Sequence, residues 1–160
     1  MAPATAIVLR RAHRGDLAEL GPIWLEMMQT HALRDASFTL AQNCLPRWKE
    51  MTQELLARSD AFVLVASEGP SLVGFCLGWV ARNPPIYAHS EVGFISEMAV
   101  AQANQRRGIG RQLLAAARTW FHARRLLDFQ LSTAIWNQDA RQFWESCGGR
   151  ALLVRYQFGL

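Results

Sequence analysis

The chain of 160 residues has few of the residues on which several classes of protein depend. Its three cysteines, Cys44, Cys76 and Cys147, form no CxxC pair, which argues against a disulfide framework and suits a reducing compartment. The four histidines are scattered without metal-ligand spacing, so we expect no metal site. No apolar run approaches the roughly 20 residues of a membrane-spanning helix. We therefore expect a cytoplasmic protein with no membrane partner.

Lysine is nearly absent, because Lys49 is the only one, so the net charge of +4 rests on arginine. Several arginines gather between positions 106 and 125. The planar fork of arginine suits phosphate, and such a group fits either nucleic acid or a small polyanionic cofactor. Composition does not separate the two, but no nucleic-acid-binding motif accompanies the arginines, so we expect no nucleic acid partner.

The apolar residues, 51% of the chain, follow strand and helix periodicities in alternation. The length suits one domain spanning residues 1–160. The pattern predicts an α/β protein with a mixed sheet and helices on its faces. Strands are predicted at 6–10, on both sides of a Glu-Gly-Pro-Ser turn at 68–71, at 92–100, at 128–134 and at 151–160; helices are predicted to begin near Gly15, Leu45, Ile109 and Asp139.

A glycine motif lies between the fourth predicted strand and a helix, in the sequence NQRRGIGRQLL at 104–114. A P-loop is excluded because no lysine follows either glycine, and a dinucleotide fingerprint is excluded because Leu113 occupies its third glycine position. What remains is Gln105, Gly108 and Gly110 in a Q-x-x-G-x-G loop. Glycine and the first N–H groups of a helix favour a bound anion.

Two motifs in order resemble those of the GNAT superfamily of acetyl-CoA-dependent N-acetyltransferases. The first is ISEMAV followed by the glycine loop, and the second is N-x-x-A-x-x-F-W-x-x-x-G from Asn137 to Gly148. The resemblance implies the GNAT fold, with a mixed sheet of about six or seven strands and about four helices. It also implies acetyl transfer to a primary amine of a small molecule or protein, by direct attack in a ternary complex, and a homodimer.

The resemblance implies a set of cofactor contacts. Backbone N–H groups of the glycine loop would bind the pyrophosphate of coenzyme A, and the preceding strand would pair with the pantetheine arm. Asn137 would bind the arm from the other side; the alternative is that it caps the helix that follows it. The implied cofactor-binding residues are Met98, Ala99, Val100, Gln105, Arg106, Arg107, Gly108, Ile109, Gly110, Arg111, Asn137 and Trp144.

The catalytic residues depart from the family pattern at one position. GNAT enzymes often carry a tyrosine acid where this chain has Trp144, and an indole cannot release its proton at useful pH. A tyrosine acid would have to be Tyr87, since Tyr156 is expected to pack in the last strand; solvent or the product ammonium could also protonate the thiolate. Glu97, on the cofactor strand, is the expected base, with Glu91 and His89 as second choices.

These residues do not identify the acceptor amine. In this fold the first two helices and the loop before the cofactor strand usually enclose it, and the implied pocket residues are Trp24, Met28, His31, Phe38 and Tyr87. Because Trp144 replaces the usual tyrosine, a non-catalytic acyl-CoA-binding or regulatory module remains the alternative.

Overall fold

Five strands form one mixed sheet in the computed structural model, which describes residues 6–160. Each strand lies beside the one that precedes it in sequence, and β1 to β4 are antiparallel. The fifth is parallel to the fourth, because a helix joins them. The strands are β1 (Ile7–Arg11), β2 (Ala61–Glu68), β3 (Ser71–Arg82), β4 (Glu91–Val100) and β5 (Phe129–Leu131).

The sheet separates two apolar cores, because side chains of β2 alternate between its faces. Phe62 and Leu64 point to one side and Val63 and Val65 to the other. The first core includes helix α3, and the second includes the first two helices. The helices are α1 (Leu17–Arg34), α2 (Cys44–Ala57), α3 (Ile109–His122) and α4 (Gln138–Ser146).

The helix predictions agree with the structure in number and position. The four α-helices begin within about two residues of the predicted starts, because capping and periodicity are local signals. Met51 of α2 shares the apolar spacing of this helix but is 65% exposed. None of the helices in residues 6–160 is both long and apolar enough to cross a bilayer. The same residues contain no group of three or more potential metal ligands.

The strand predictions are wrong at the carboxyl end of the chain. The strand predicted at 128–134 is reduced to Phe129–Leu131, and residues 151–160 form no strand. The described sheet therefore has five strands where the resemblance implied six or seven. The reason is that an alternating pattern favours a strand only where a neighbouring edge pairs with it, and residues 151–160 make no backbone hydrogen bond to another described segment.

Candidate active site

The parallel pair of β4 and β5 separates halfway along β4. β5 pairs with Gly93, Phe94 and Ile95 only, so the rest of β4, up to Val100, has no strand on that side. The pairing of β3 with β4 also shifts register at Gly78, close to this point. A Cβ on Gly78 would clash with the carbonyl oxygen of Phe94. The result is a splay, defined here as the gap beside residues 96–100 of β4.

Peptide groups of β4 point into the splay. The N–H of Ala101 donates to Val73 O at 2.9 Å, so the backbone polar groups of this residue face β3. In a strand the N–H and C=O of one residue point to the same side and those of the next residue to the opposite side. Ala99 therefore also faces β3, while the N–H and C=O of Met98 and Val100 face the splay. The Gln105 side-chain amide, which donates to Val100 O at 3.1 Å, agrees with this orientation. The N–H and C=O of Met98 are therefore directed into the gap.

The side chains of Glu97 and Met98 lie on opposite faces of the sheet, as the strand alternation predicts. Met98 packs against the core that contains α3. Glu97 accepts hydrogen bonds from Trp24 Nε1 at 3.3 Å and from Trp48 Nε1 at 2.8 Å. The two indoles stack with their ring centroids 5.2 Å apart, so α1 and α2 together fix the carboxylate.

The environment of Glu97 changes its acidity. Burial raises the pKa of this carboxyl above its ordinary value, and the bonds from Trp48 and Trp24 lower it by less. The two indole N–H groups thus support the charged form without introducing a positive charge. A carboxylate with a raised pKa that is held in place at a gap in the sheet has the properties of a general base.

The amino end of α3 is open. Gly108 is its N-cap at φ 79°, with no side-chain cap, and the N–H of Gln112 is the first to bond within the helix, to Gly108 O at 3.2 Å. The N–H groups of residues 109–111 therefore have no intrahelical acceptor. A Cβ on Gly108 would meet nothing within 4 Å, which leaves room for a ligand. A Cβ on Gly110 would instead lie 3.3 Å from Phe143.

The arginines of the glycine loop have different neighbours. Arg107 forms an ion pair with Glu68 of β2, at 2.8 Å for one of its nitrogens, and this pairing lowers the pKa of the carboxyl. Arg111 donates to Ser146 Oγ at 2.8 Å and joins α3 to α4. Arg106, at φ 62°, has no hydrogen-bond partner among the described residues. Of these three arginines, only Arg106 makes no hydrogen bond or ion pair with another described side chain.

The second motif forms the start and inner face of α4. Asn137 Oδ1 accepts from the N–H of Ala140 at 3.1 Å, so the residue caps the helix. Its amide nitrogen has no partner within residues 6–160. Trp144 is half-buried and meets Phe143 edge-on, with ring centroids 4.8 Å apart. Trp144 therefore packs against the α3 core.

The two tyrosines lie away from the splay. Tyr87 is 61% exposed in the loop between β3 and β4, beyond Glu91, the first residue of β4. At about 3.3 Å per residue, Glu91 lies about 20 Å along the strand from Glu97. Tyr156 was expected to pack, and that prediction is wrong because it is 78% exposed. The structure does not bring Tyr87, His89 or Glu91 together with Glu97.

A second aromatic cluster surrounds His31, near the end of α1. His31 lies with its ring centroid 5.5 Å from that of Phe38 and 5.2 Å from that of Trp136. The Nδ1 of His31 is 2.9 Å from Met27 O. Trp136 directly precedes Asn137, and its buried Nε1 has no hydrogen-bond partner. Sequence analysis missed Trp136, because no local pattern distinguishes an indole after a short strand from a core residue.

The sequence profile of the Acetyltransferase (GNAT) family matches residues 25–149. The chain belongs to this family. The matched range contains the splayed strand, the glycine loop and α4. The GNAT fold therefore accounts for the order of these elements around the gap. A sequence search of curated proteins gives no significant match.

Solved structures similar to this GNAT chain include acetyltransferases. A tetramutant of the BH1408 protein from Bacillus halodurans has a TM-score of 0.83 at 18% identity, covering 96% of this chain and 99% of that one. AAC(6′)-Iy in complex with the bisubstrate analogue CoA-S-monomethyl-acetylneamine has 0.73 at 16%, covering 96% and 100%. Ribosomal-protein-alanine N-acetyltransferase from Brucella melitensis biovar Abortus 2308 has 0.71 at 19%, covering 97% and 99%. At these identities the likeness is one of fold.

Proposed function

We propose that the chain is an N-acetyltransferase that moves an acetyl group from acetyl-CoA to a primary amine of a small molecule or protein. The observation that carries the proposal is the splay itself, with Met98 peptide groups in the gap and Glu97 at its edge. The open amino end of α3 adds an anion site beside it. Attack would be direct, within a ternary complex.

The residues present fit coenzyme A. The pyrophosphate would lie on the N–H groups of residues 109–111, close to the backbone of Gly108, with Arg106 as the neighbouring cation. The pantetheine amides would pair with the peptide groups of Met98 and Val100, as an added strand would. Gln105 supports this strand by its bond to Val100 O. The side-chain amide nitrogen of Asn137 completes the proposed contacts from α4.

The coenzyme would supply an activated thioester. Glu97 would take the proton of the attacking ammonium, directly or through water, since the protonated amine has a pKa near ~10 and cannot attack. The N–H of Met98 is oriented to donate a hydrogen bond where negative charge grows on the carbonyl oxygen. Because the tyrosines lie away from the splay, we assign protonation of the departing thiolate to solvent or the product ammonium.

The acceptor would enter from the side of α1 and α2. His31, Phe38 and Trp136 form an apolar wall with polar edges, which suits an amine on a larger scaffold. Structural neighbours named as aminoglycoside acetyltransferases and as a protein-alanine acetyltransferase represent the two acceptor classes to be compared. The proposal covers both classes.

The test is thiol release from acetyl-CoA in the presence of aminoglycosides, polyamines, amino acids and peptide N-termini. An enzyme releases thiol in proportion to acetylated amine for at least one acceptor. Thermal stabilisation by acetyl-CoA with no acceptor-dependent release across the panel would instead identify an acyl-CoA-binding module.

The role of Glu97 is tested by Glu97→Gln, which retains the shape of the side chain and one oxygen to accept one of the two indole hydrogen bonds. We expect kcat/KM to fall by about two orders of magnitude and its acid limb to disappear. Glu91→Gln, at the far end of the same strand, is the matched control and should retain wild-type rates. An unchanged pH profile in Glu97→Gln would remove this residue from the mechanism.

The proposal also includes a homodimer in the cytoplasm. The dimer is implied by family resemblance, and light scattering on the purified chain measures it directly. Cell fractionation measures the location.

A further inference from the structure

Successive N–H groups before and at the start of α3 have no backbone acceptor. The N–H groups of residues 106–111 donate to no backbone carbonyl among the described residues. Arg106 adopts φ 62° and Gly108 adopts φ 79°, and a left-handed conformation is unfavourable for a residue with a Cβ such as Arg106. The shape of this loop therefore depends on side-chain contacts, because its own backbone hydrogen bonds do not hold it.

One carboxylate supplies such contacts on both sides of Arg106. Glu68, the last residue of β2, accepts on Oε2 from Asn104 Nδ2 at 3.2 Å and from Arg107 Nη1 at 2.8 Å. Its Oε1 accepts from Arg107 Nη2, so the ion pair is bidentate. We name the group of Glu68, Asn104 and Arg107 the carboxylate clamp. The clamp connects the loop to the sheet at two points that flank the left-handed Arg106.

The position of Glu68 makes the clamp a fixed support for the loop. Glu68 pairs with Ile7 of β1 on one side and with Ser71 of β3 on the other, so both neighbouring strands hold its backbone. Its side chain is only 23% exposed. A planar bidentate pair fixes orientation as well as distance. The loop is therefore held by the sheet through two side chains.

We propose that Glu68 is a positioning residue for the anion site, and that Arg107 acts through Glu68 and does not itself bind the phosphate. The clamp would keep the N–H groups of the loop directed at one point, where the pyrophosphate of coenzyme A would lie. This inference rests on the proposed function, since it takes the amino end of α3 as the cofactor site. The competing arrangement is that Arg107 binds phosphate directly and that Glu68 competes with the ligand for it. The two arrangements predict opposite effects when the carboxylate is removed.

The experiment measures coenzyme A binding by calorimetric titration into Glu68→Gln, Arg107→Gln and the double variant. Glu68→Gln keeps the length of the side chain and removes its charge, and should raise Kd about tenfold. Arg107→Gln should raise Kd by a similar factor, and the double variant should bind no more weakly than either single one, because both changes break the same contact.

Asp60→Asn is the matched control. It breaks another bidentate pair, with Arg58, just before β2 and so at the opposite end of this strand from Glu68. We expect it to change Kd less than about twofold. Circular dichroism checks that each variant is folded.

Steady-state constants separate positioning from a general loss of structure. In Glu68→Gln, KM for acetyl-CoA should rise while kcat stays within about twofold of the wild type, since the loop does not touch the reacting atoms. Unchanged or tighter binding of coenzyme A by Glu68→Gln would overturn the proposal, and tighter binding would identify Arg107 as a direct phosphate ligand. Losses that add in the double variant would also overturn it. A wild type that does not bind coenzyme A would instead refute the proposed function itself.

Discussion

Glu97 depends on two tryptophans that are distant in sequence. The indole nitrogens of Trp48 and Trp24 belong to residues 49 and 73 positions away, and both donate to one carboxylate. A neutral donor pair holds the charge without an ion pair, so the carboxylate remains available to a cationic amine. These tryptophans act as positioning residues for the proposed base.

Replacing Trp48 by Phe removes one donor and keeps the ring. Because this bond lowers the pKa of Glu97, its loss should raise that pKa further. The acid limb of kcat/KM should move to higher pH, and the free energy of unfolding should fall by about 1–2 kcal/mol. Trp24→Phe, which removes the longer bond, should move the limb less. If the acid limb of kcat/KM does not move in Trp48→Phe, the hydrogen bonds from the two tryptophans have no role in the activity.

The raised pKa of Glu97 also sets the direction in which this group makes the free energy of unfolding change with pH. Between the unfolded and folded pKa values the folded chain binds more protons, so this group makes the folded state less stable as pH rises through that window. Glu97→Gln removes this dependence. Urea unfolding of both proteins across the acid range should show the difference in slope, and parallel curves would contradict the assignment of the shift.

Trp144 occupies the position where a tyrosine acid is usual in the family. Its contacts are with Phe143 and the α3 core, which is a packing environment. Trp144→Phe is therefore expected to retain most of kcat, while the smaller ring costs about 1 kcal/mol of stability. Steady-state rates with a responsive acceptor measure this. A thousandfold loss of kcat in a folded variant would show that the indole takes part in the chemistry.

At the scale of elements, the glycine loop and the start of α3 can be tested with a matched pair. Gly108 and Gly148 have φ of 79° and 89°, and a Cβ on either would meet nothing within 4 Å. Alanine at either site should therefore cost about 1 kcal/mol through backbone strain alone. Only Gly108→Ala should also weaken coenzyme A binding, by about tenfold, because it changes the proposed anion site.

Calorimetric titration of coenzyme A into both variants makes the comparison. Equal weakening in Gly108→Ala and Gly148→Ala would indicate a general loss of stability. No weakening in either would remove the amino end of α3 from the cofactor site.

Elements defined by local patterns could be predicted from the sequence, and contacts between distant elements could not. The apolar spacing of α3 and the cap at Asn137 are local, so both helices were found near their observed starts. The ion pair of Arg107 with Glu68 joins residues 39 positions apart, and nothing in the loop indicates it. The terminal strand was wrongly predicted for the same reason, since its alternation is local but its pairing is not.

At the scale of the whole molecule, the proposed homodimer would connect folding to assembly. When folding and association are coupled, Tm rises with protein concentration. We expect a tenfold dilution of the wild type to lower Tm by about 2 °C. Differential scanning calorimetry at several concentrations measures this. A wild-type Tm unaffected by dilution would indicate that the chains unfold independently of each other.

The separation of two cores by one sheet has a consequence for how such a protein can diverge. The proposed donor contacts belong to the side of α3 and α4, whereas the tryptophan pair and His31 belong to the side of α1 and α2. Substitutions on the second side change the shape offered to an acceptor without repacking the first. A lineage with this architecture can therefore exchange one amine for another while inheriting its acyl donor unchanged.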